Sequence, residues 1–158
     1  MKNQKSADLL PLPALLIERI ASGQWQHPGD AALRAMIPLL EYSLDFLCDV
    51  TRIYKESSVS ISDRDSEILG ILPDIHPQST DLPFLNRDLM LFIAVNRVAG
   101  DDVAIALDYR TSMIDPRVVA SYWIENKYGR WCAVAPTLSH FVDMLDVVRY
   151  GQLIGGSR

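Results

Sequence analysis

LMLFIAVNRVAGDDVAIALDYRTSMIDPRVVASYWIENKYGRWCAVA, residues 89–135, holds the reading on which the fold turns. Four apolar runs stand out in it: LMLFIAVN, VAIALDY, VVASYW and WCAVA. Each has strand length and is rich in Val, Ile and aromatic residues. The gaps VAGDD, RTSMIDPR and IENKYGR carry the Gly, Asp, Asn and Pro that turns require. This alternation predicts an antiparallel meander. The following PTLSHFVDMLDVV changes to helical period, with Leu138, Phe141, Val142, Leu145 and Val148 in one stripe and Thr137 as its cap.

Working back toward the N-terminus, residues 12–22 read as a helix with Leu12, Leu16, Ile17 and Ile20 on its inner face. Pro13 suits a first turn, and Gly23 suits the left-handed residue after a helix end. Trp25 is expected to anchor the link that follows. Asp30 is placed as N-cap of a second helix facing inward through Leu33, Ile37 and Leu40, which Pro38 interrupts or bends. Ser43 is placed as cap of a third, with Phe46, Leu47, Val50 and either Ile53 or Tyr54 apolar. Residues 55–88, rich in Ser, Asp and Pro, predict an irregular and mobile surface excursion with one short strand in EILGIL. Helices, sheet, closing helix: the fold class is α+β, with helices packed on an antiparallel meander. Residues 1–158 form one domain, with 1–8 and 150–158 as flexible tails.

The strands also indicate which faces are covered. LMLFIAVN is apolar on both faces, which predicts a central, sandwiched strand. Val103, Ile105, Leu107 and Tyr109 share one face of the next strand, and Asp102, Ala104, Ala106 and Asp108 share the other. Two alanines on that second face leave room for close packing, most simply by a helix.

The composition is that of a soluble globular chain, and no apolar run approaches the ~20 residues of a membrane helix. Asp8, Pro11, Pro13, Glu18 and Arg19 break up the N-terminal apolar patch, so it reads poorly as a secretory leader, and a cytoplasmic location is expected. A net charge of −5 argues against general nucleic-acid binding and favours a basic partner. Cys48 and Cys132 are expected as buried, reduced thiols, one in a helix and one in a strand.

The succession FIAVN, GDD, VAIALDY, PRVVASYW, W and VAPTLSHFVDML resembles the C-terminal half of the SUKH superfamily. That superfamily includes bacterial toxin-immunity proteins and a fungal regulator of cell-wall synthesis. The matching residues are Ile93, Gly100, Asp101, Asp102, Ile105, Leu107, Asp108, Val118, Val119, Tyr122, Trp131, Phe141 and Leu145. They span roughly residues 84–148. The N-terminal half diverges: the family's Pro followed by Tyr-x-x-Phe-Leu and Gly is echoed only by Tyr42, Phe46 and Leu47. The resemblance implies an intracellular, non-enzymatic protein-binding module, of the kind that neutralises a cognate toxin by occlusion over roughly 800 Å² per partner.

The residues that carry chemistry fit that expectation. Asp101, Asp102 and Asp108 are the tightest carboxylate group, but Asp102 and Asp108 lie ~20 Å apart along a strand, too far for one metal. Hairpin and loop anchoring is their expected task, Gly100 supplying positive φ and the aspartates bonding nearby amides. His27, His76 and His140 are scattered, no nucleophile elbow is present, and the terminal GQLIGGSR is no phosphate loop. No cofactor and no metal are therefore expected. Trp25, Trp123 and Trp131 are read first as packing residues. Contact with a protein partner is assigned to Asp101, Asp102, Asp108 and Trp123. The competing expectation is a small-ligand protein or hydrolytic enzyme, with a sheet-face pocket over Ala104 and Ala106 and with Asp102 or Asp108 as acid or base.

Overall fold

The computed structural model describes residues 9–58, 63–73, 75–76 and 78–156. In chain order its elements are α1 (Ala14–Ala21), α2 (Asp30–Met36), β1 (Leu44–Phe46), α3 (Val50–Ser57), α4 (Asp63–Leu69), β2 (Ile71–Leu72), β3 (Leu85–Asn86), β4 (Met90–Asn96), β5 (Ala104–Asp108), β6 (Arg117–Ile124), β7 (Tyr128–Ala135) and α5 (Leu138–Gly156). The four predicted runs are β4 to β7. They form one antiparallel sheet with β1, in the order β1-β4-β5-β6-β7, and helices pack against it. The fold is α+β, as the alternation of apolar runs and turns requires.

Both faces of β4 and β5 are covered, which is why they are apolar up to their last residues, Asn96 and Asp108. On one face, Leu91, Ile93, Ile105, Leu107, Val118 and Ala120 share a core with Leu138, Phe141, Val142 and Leu145 of α5 and with Leu16 of α1. Each of the larger side chains, fully withdrawn from water, contributes about 1.5–3 kcal/mol. On the other face, Met90, Phe92, Ala104, Ala106, Val119 and Trp131 pack with Ile71 and Leu85. Trp25 joins the layers of the first core. It stacks on Phe46 at 4.8 Å, tilts against Phe141 at 6.4 Å, and donates its ring N–H to the Leu47 carbonyl at 3.0 Å.

Several local expectations are corrected. Leu44-Asp45-Phe46 forms a strand rather than part of a third helix, because its alternating burial suits the free side of β4, where Leu44 pairs Asn96 and Phe46 pairs Ala94. The helix α3 begins later, at Val50. Its cap is Asp49, whose carboxylate accepts from the Thr51 amide at 2.8 Å, and Ser43 instead donates its hydroxyl to Asp30. Asp30 is the first helical residue of α2, with Gly29 at the cap position and its own carboxylate turned to Ser43 and Arg97. Ile17 is exposed, since α1 turns Leu16 inward. Cys48 is exposed and lies between β1 and α3, outside any helix, while Cys132 is half-buried in β7. The 55–88 stretch contributes α4, β2 and β3, and β2 pairs in parallel with β3. The predicted C-terminal tail is helical through Gly156, there being no proline to stop α5. Residues 1–8 and 157–158 lie outside the described residues. Among the described residues no helix is long and apolar enough to cross a membrane.

The β6–β7 hairpin turns through Glu125 and Asn126, at φ +54° and +57°, and the Lys127 amide closes the turn on the Ile124 carbonyl at 2.9 Å. Two positive φ values at the central positions of the 124–127 turn give it type I′ character, which favours Asn-Gly and penalises glutamate. The double change Glu125→Asn with Asn126→Gly should stabilise the fold by about 0.5–1 kcal/mol. The check is a melting curve, with Tm rising by roughly 2–4 °C. An unchanged or lowered Tm counts against strain at this turn.

Candidate functional site

The two ends of β5 carry the residues singled out in the sequence, and the ends differ in kind. Asp108 closes the strand, opposite Arg117 across the ladder to β6. Its carboxylate and the Arg110 side chain have no solvent exposure. Arg110 returns to it with Nε and Nη2, each at 3.0 Å, and with its backbone N–H at 3.1 Å. Arg117 adds Nε at 2.9 Å. The guanidiniums also donate outward: Arg110 to the carbonyls of Ser79 at 3.1 Å and Phe84 at 2.6 Å, and Arg117 to the carbonyl of Thr80. One buried carboxylate thereby ties the 109–116 loop to residues 79–84. It is a positioning group, and its burial removes Asp108 from the residues a partner or substrate can touch.

The loop so held is fixed along its length. Thr111 Oγ1 donates to the Asp108 carbonyl at 3.3 Å and accepts from the Arg117 amide at 3.1 Å. Ser112 Oγ accepts from the amides of Ile114 at 3.1 Å and Asp115 at 3.0 Å. Asp115 accepts from the Ser139 amide at 3.1 Å, joining the loop to the start of α5. At its tip Met113 is 47% exposed and Ile114 83% exposed. Two bare apolar side chains on a loop with this much anchoring were not legible in the sequence, where SMI reads as ordinary loop. The only signal was the charged frame, Asp108, Arg110 and Arg117, around it.

At the other end, Asp101, Asp102 and Trp123 come together. Gly100 takes φ +95°, as the hairpin reading requires, and Asp102 itself takes +51°. The indole of Trp123 donates to the Asp101 carbonyl at 3.0 Å. Among the described residues neither carboxylate bonds an amide, contrary to expectation: Gly100 and the Asp102 backbone make the turn, and Asp102 is exposed. Of the four residues assigned to a partner, three therefore share one end of the sheet and Asp108 is buried at the other.

Asp102 also stands at the mouth of a cavity of about 430 Å³, between the sheet and the helices α3 and α4. Its floor is Ala104 and Ser121, its walls include Phe92 and Trp131, and its mouth carries Arg52, Glu56 and Arg97. The small residues make the space. The predicted sheet-face pocket is thus present over Ala104, whereas Ala106 is fully buried in the second core and Asp108 does not line it. The polar atoms of the floor are satisfied, for Ser121 Oγ accepts from the Ala104 amide at 2.8 Å and donates to its carbonyl at 3.4 Å. The α3 wall comes from the predicted third helix, whereas the α4 wall had no signal in a segment that reads as irregular.

The arginines at the mouth have acidic partners. Arg97 pairs Asp45 at 2.8 Å and Asp30 at 3.2 Å, and Arg52 pairs Glu56 at 3.8 Å. Asp30 is held below the usual carboxylate range by the Ser43 hydroxyl first and by Arg97 second. His27, 3.5 Å from Asp30, is pushed below its ordinary value because burial disfavours its cation more than Asp30 supports it. Among the described residues no group of three or more His, Cys, Asp or Glu side chains is placed to hold a metal ion. No family model matches the chain, and neither a curated protein nor a solved structure matches it.

Proposed function

We propose that this chain is a protein-binding module of the SUKH type, an immunity protein that neutralises a cognate toxin domain by covering it, with Met113 and Ile114 as the apolar anchors. The observation that carries the reading is the rigid display of these two side chains. Most exposed apolar residues sit singly and mean little. Here adjacent ones crown a loop fixed by a buried carboxylate, two arginines and a set of short-range hydrogen bonds. Fixing a loop beforehand removes the ordering cost from the binding step, and apolar anchors of this kind dominate interface energetics. The likeness of residues 84–148 to SUKH proteins supports the class of partner, and the net charge of −5 suits a basic one by steering its approach.

The test is capture from the native host with the wild-type chain and Ile114→Asp in parallel. Because Ile114 is in solvent, the variant should fold with an unchanged Tm. A specific partner, identified as a toxin domain, should be recovered by the wild type and weakened about 30-fold or more by the charge, the scale of a hot-spot residue. Equal recovery by both proteins rejects the loop as the binding surface. Recovery of no toxin domain by the wild type rejects the immunity role.

A further inference from the structure

The cavity beneath α3 and α4 lies at the opposite end of the sheet from the Ile114 loop, and the binding role just proposed makes no use of it. Its volume, about 430 Å³, falls within the range of small-molecule sites, about 300–1,000 Å³. The floor of Ala104 and Ser121 has no unsatisfied polar atom, so the deep part accepts an apolar body. Phe92 and Trp131, stacked on each other with ring centroids 6.4 Å apart, form one aromatic wall beside it.

The charges at the mouth decide what the other end of a ligand carries. Three arginines, Arg52, Arg87 and Arg97, line the cavity, which at first sight suits an anion. Two of them are already matched: Arg52 by Glu56, and Arg97 by both Asp30 and Asp45. Arg87 donates to the Ser66 hydroxyl. Asp102 differs, since it forms no ion pair with any described residue and its carboxylate is exposed at the mouth. Counting the acids behind Arg97, four carboxylates stand against three guanidiniums, in a chain whose overall charge is −5.

We propose that this cavity binds a small organic cation, an amine with an apolar body, whose hydrocarbon part rests on Ala104 and Ser121 against the wall formed by Phe92 and Trp131 and whose ammonium group pairs with Asp102. The experiment is calorimetry on the full chain with three probes of similar shape: 2-phenylethylamine, neutral 2-phenylethanol and anionic 3-phenylpropanoate. The amine should bind about three- to fivefold more tightly than the alcohol, the size of an exposed ion pair, and the acid should bind most weakly. Asp102→Asn should bring the amine down to the level of the alcohol. Asparagine tolerates a positive φ, so this variant keeps the turn. Ala104→Leu should abolish binding of all three probes by filling the floor. If that variant fails to fold, the probe series and Asp102→Asn decide alone. The proposal is overturned by an amine that does not bind at millimolar concentration, by an acid that binds as well as the amine, or by a preference that survives Asp102→Asn.

Discussion

Replacing Asp108 by asparagine should destabilise the fold by about 3–5 kcal/mol, the usual result of removing one partner from a buried ion pair. The cause is what stays behind. Arg110 has no solvent-exposed side-chain surface, so its charge cannot return to water without opening the loop. An asparagine in its place would also turn an amide N–H₂ toward guanidinium donors. Arg117, 16% exposed, is nearer to solvent, and its truncation should cost less. Urea denaturation reads the effect as a lowered midpoint at unchanged slope. Pairing Asp108→Leu with Arg110→Met should recover part of the loss, because the charge left without its partner is then that of Arg117, which reaches solvent. A loss below about 1 kcal/mol for Asp108→Asn would falsify the clamp. Since a domain of this size has only about 5–15 kcal/mol in hand, the same substitution should also loosen the Ile114 loop and weaken partner capture.

Trp25→Ala should cost a similar amount, about 3–5 kcal/mol, for a different reason. The side chain is 2% exposed and fills the junction where β1, α5 and the link between α1 and α2 meet. Truncation leaves a cavity under Phe46 and Phe141 and strands the Leu47 carbonyl that its N–H now satisfies. Trp25→Phe keeps most of the packing and loses that hydrogen bond, so it should cost about 1–2 kcal/mol. Equal losses from the two variants would assign the effect to the hydrogen bond instead of the packing.

The parts of the fold written in local periodicity were legible, and those that depend on distant partners were not. β4 to β7 and α5 each repeat apolar residues at the spacing of the element they form, with turn residues between them. β1 is three residues long and could not announce itself, because its strand character comes from pairing with β4 across some fifty intervening positions. Read as helix, Leu44–Phe46 calls for a cap at Ser43, whereas the cap that forms, Asp49, belongs to the next element. The site was half legible. Alternation along β5 placed Ala104 on a face with free space and Asp108 at the base of a loop. It could not say that Ser121 of β6 deepens the space, that α3 and α4 wall it, or that Arg110 and Arg117 would take Asp108 out of solvent. Those facts arise from tertiary neighbours.

Pro83 has a consequence for how this molecule meets others. It lies against the outer side of β7, where its carbonyl accepts the Trp131 amide at 2.9 Å, and as a proline it has no N–H to give in return. A ladder begun there ends after a single rung. The far margin of the sheet, β1, is only three residues long, and the indole of Trp25 already occupies the Leu47 carbonyl just beyond it. Both borders thus resist strand addition, the commonest route by which open sheets polymerise or recruit extended peptides. Recognition is left to loops, hollows and helix faces, where Ile114, Ile17 and Val147 are exposed.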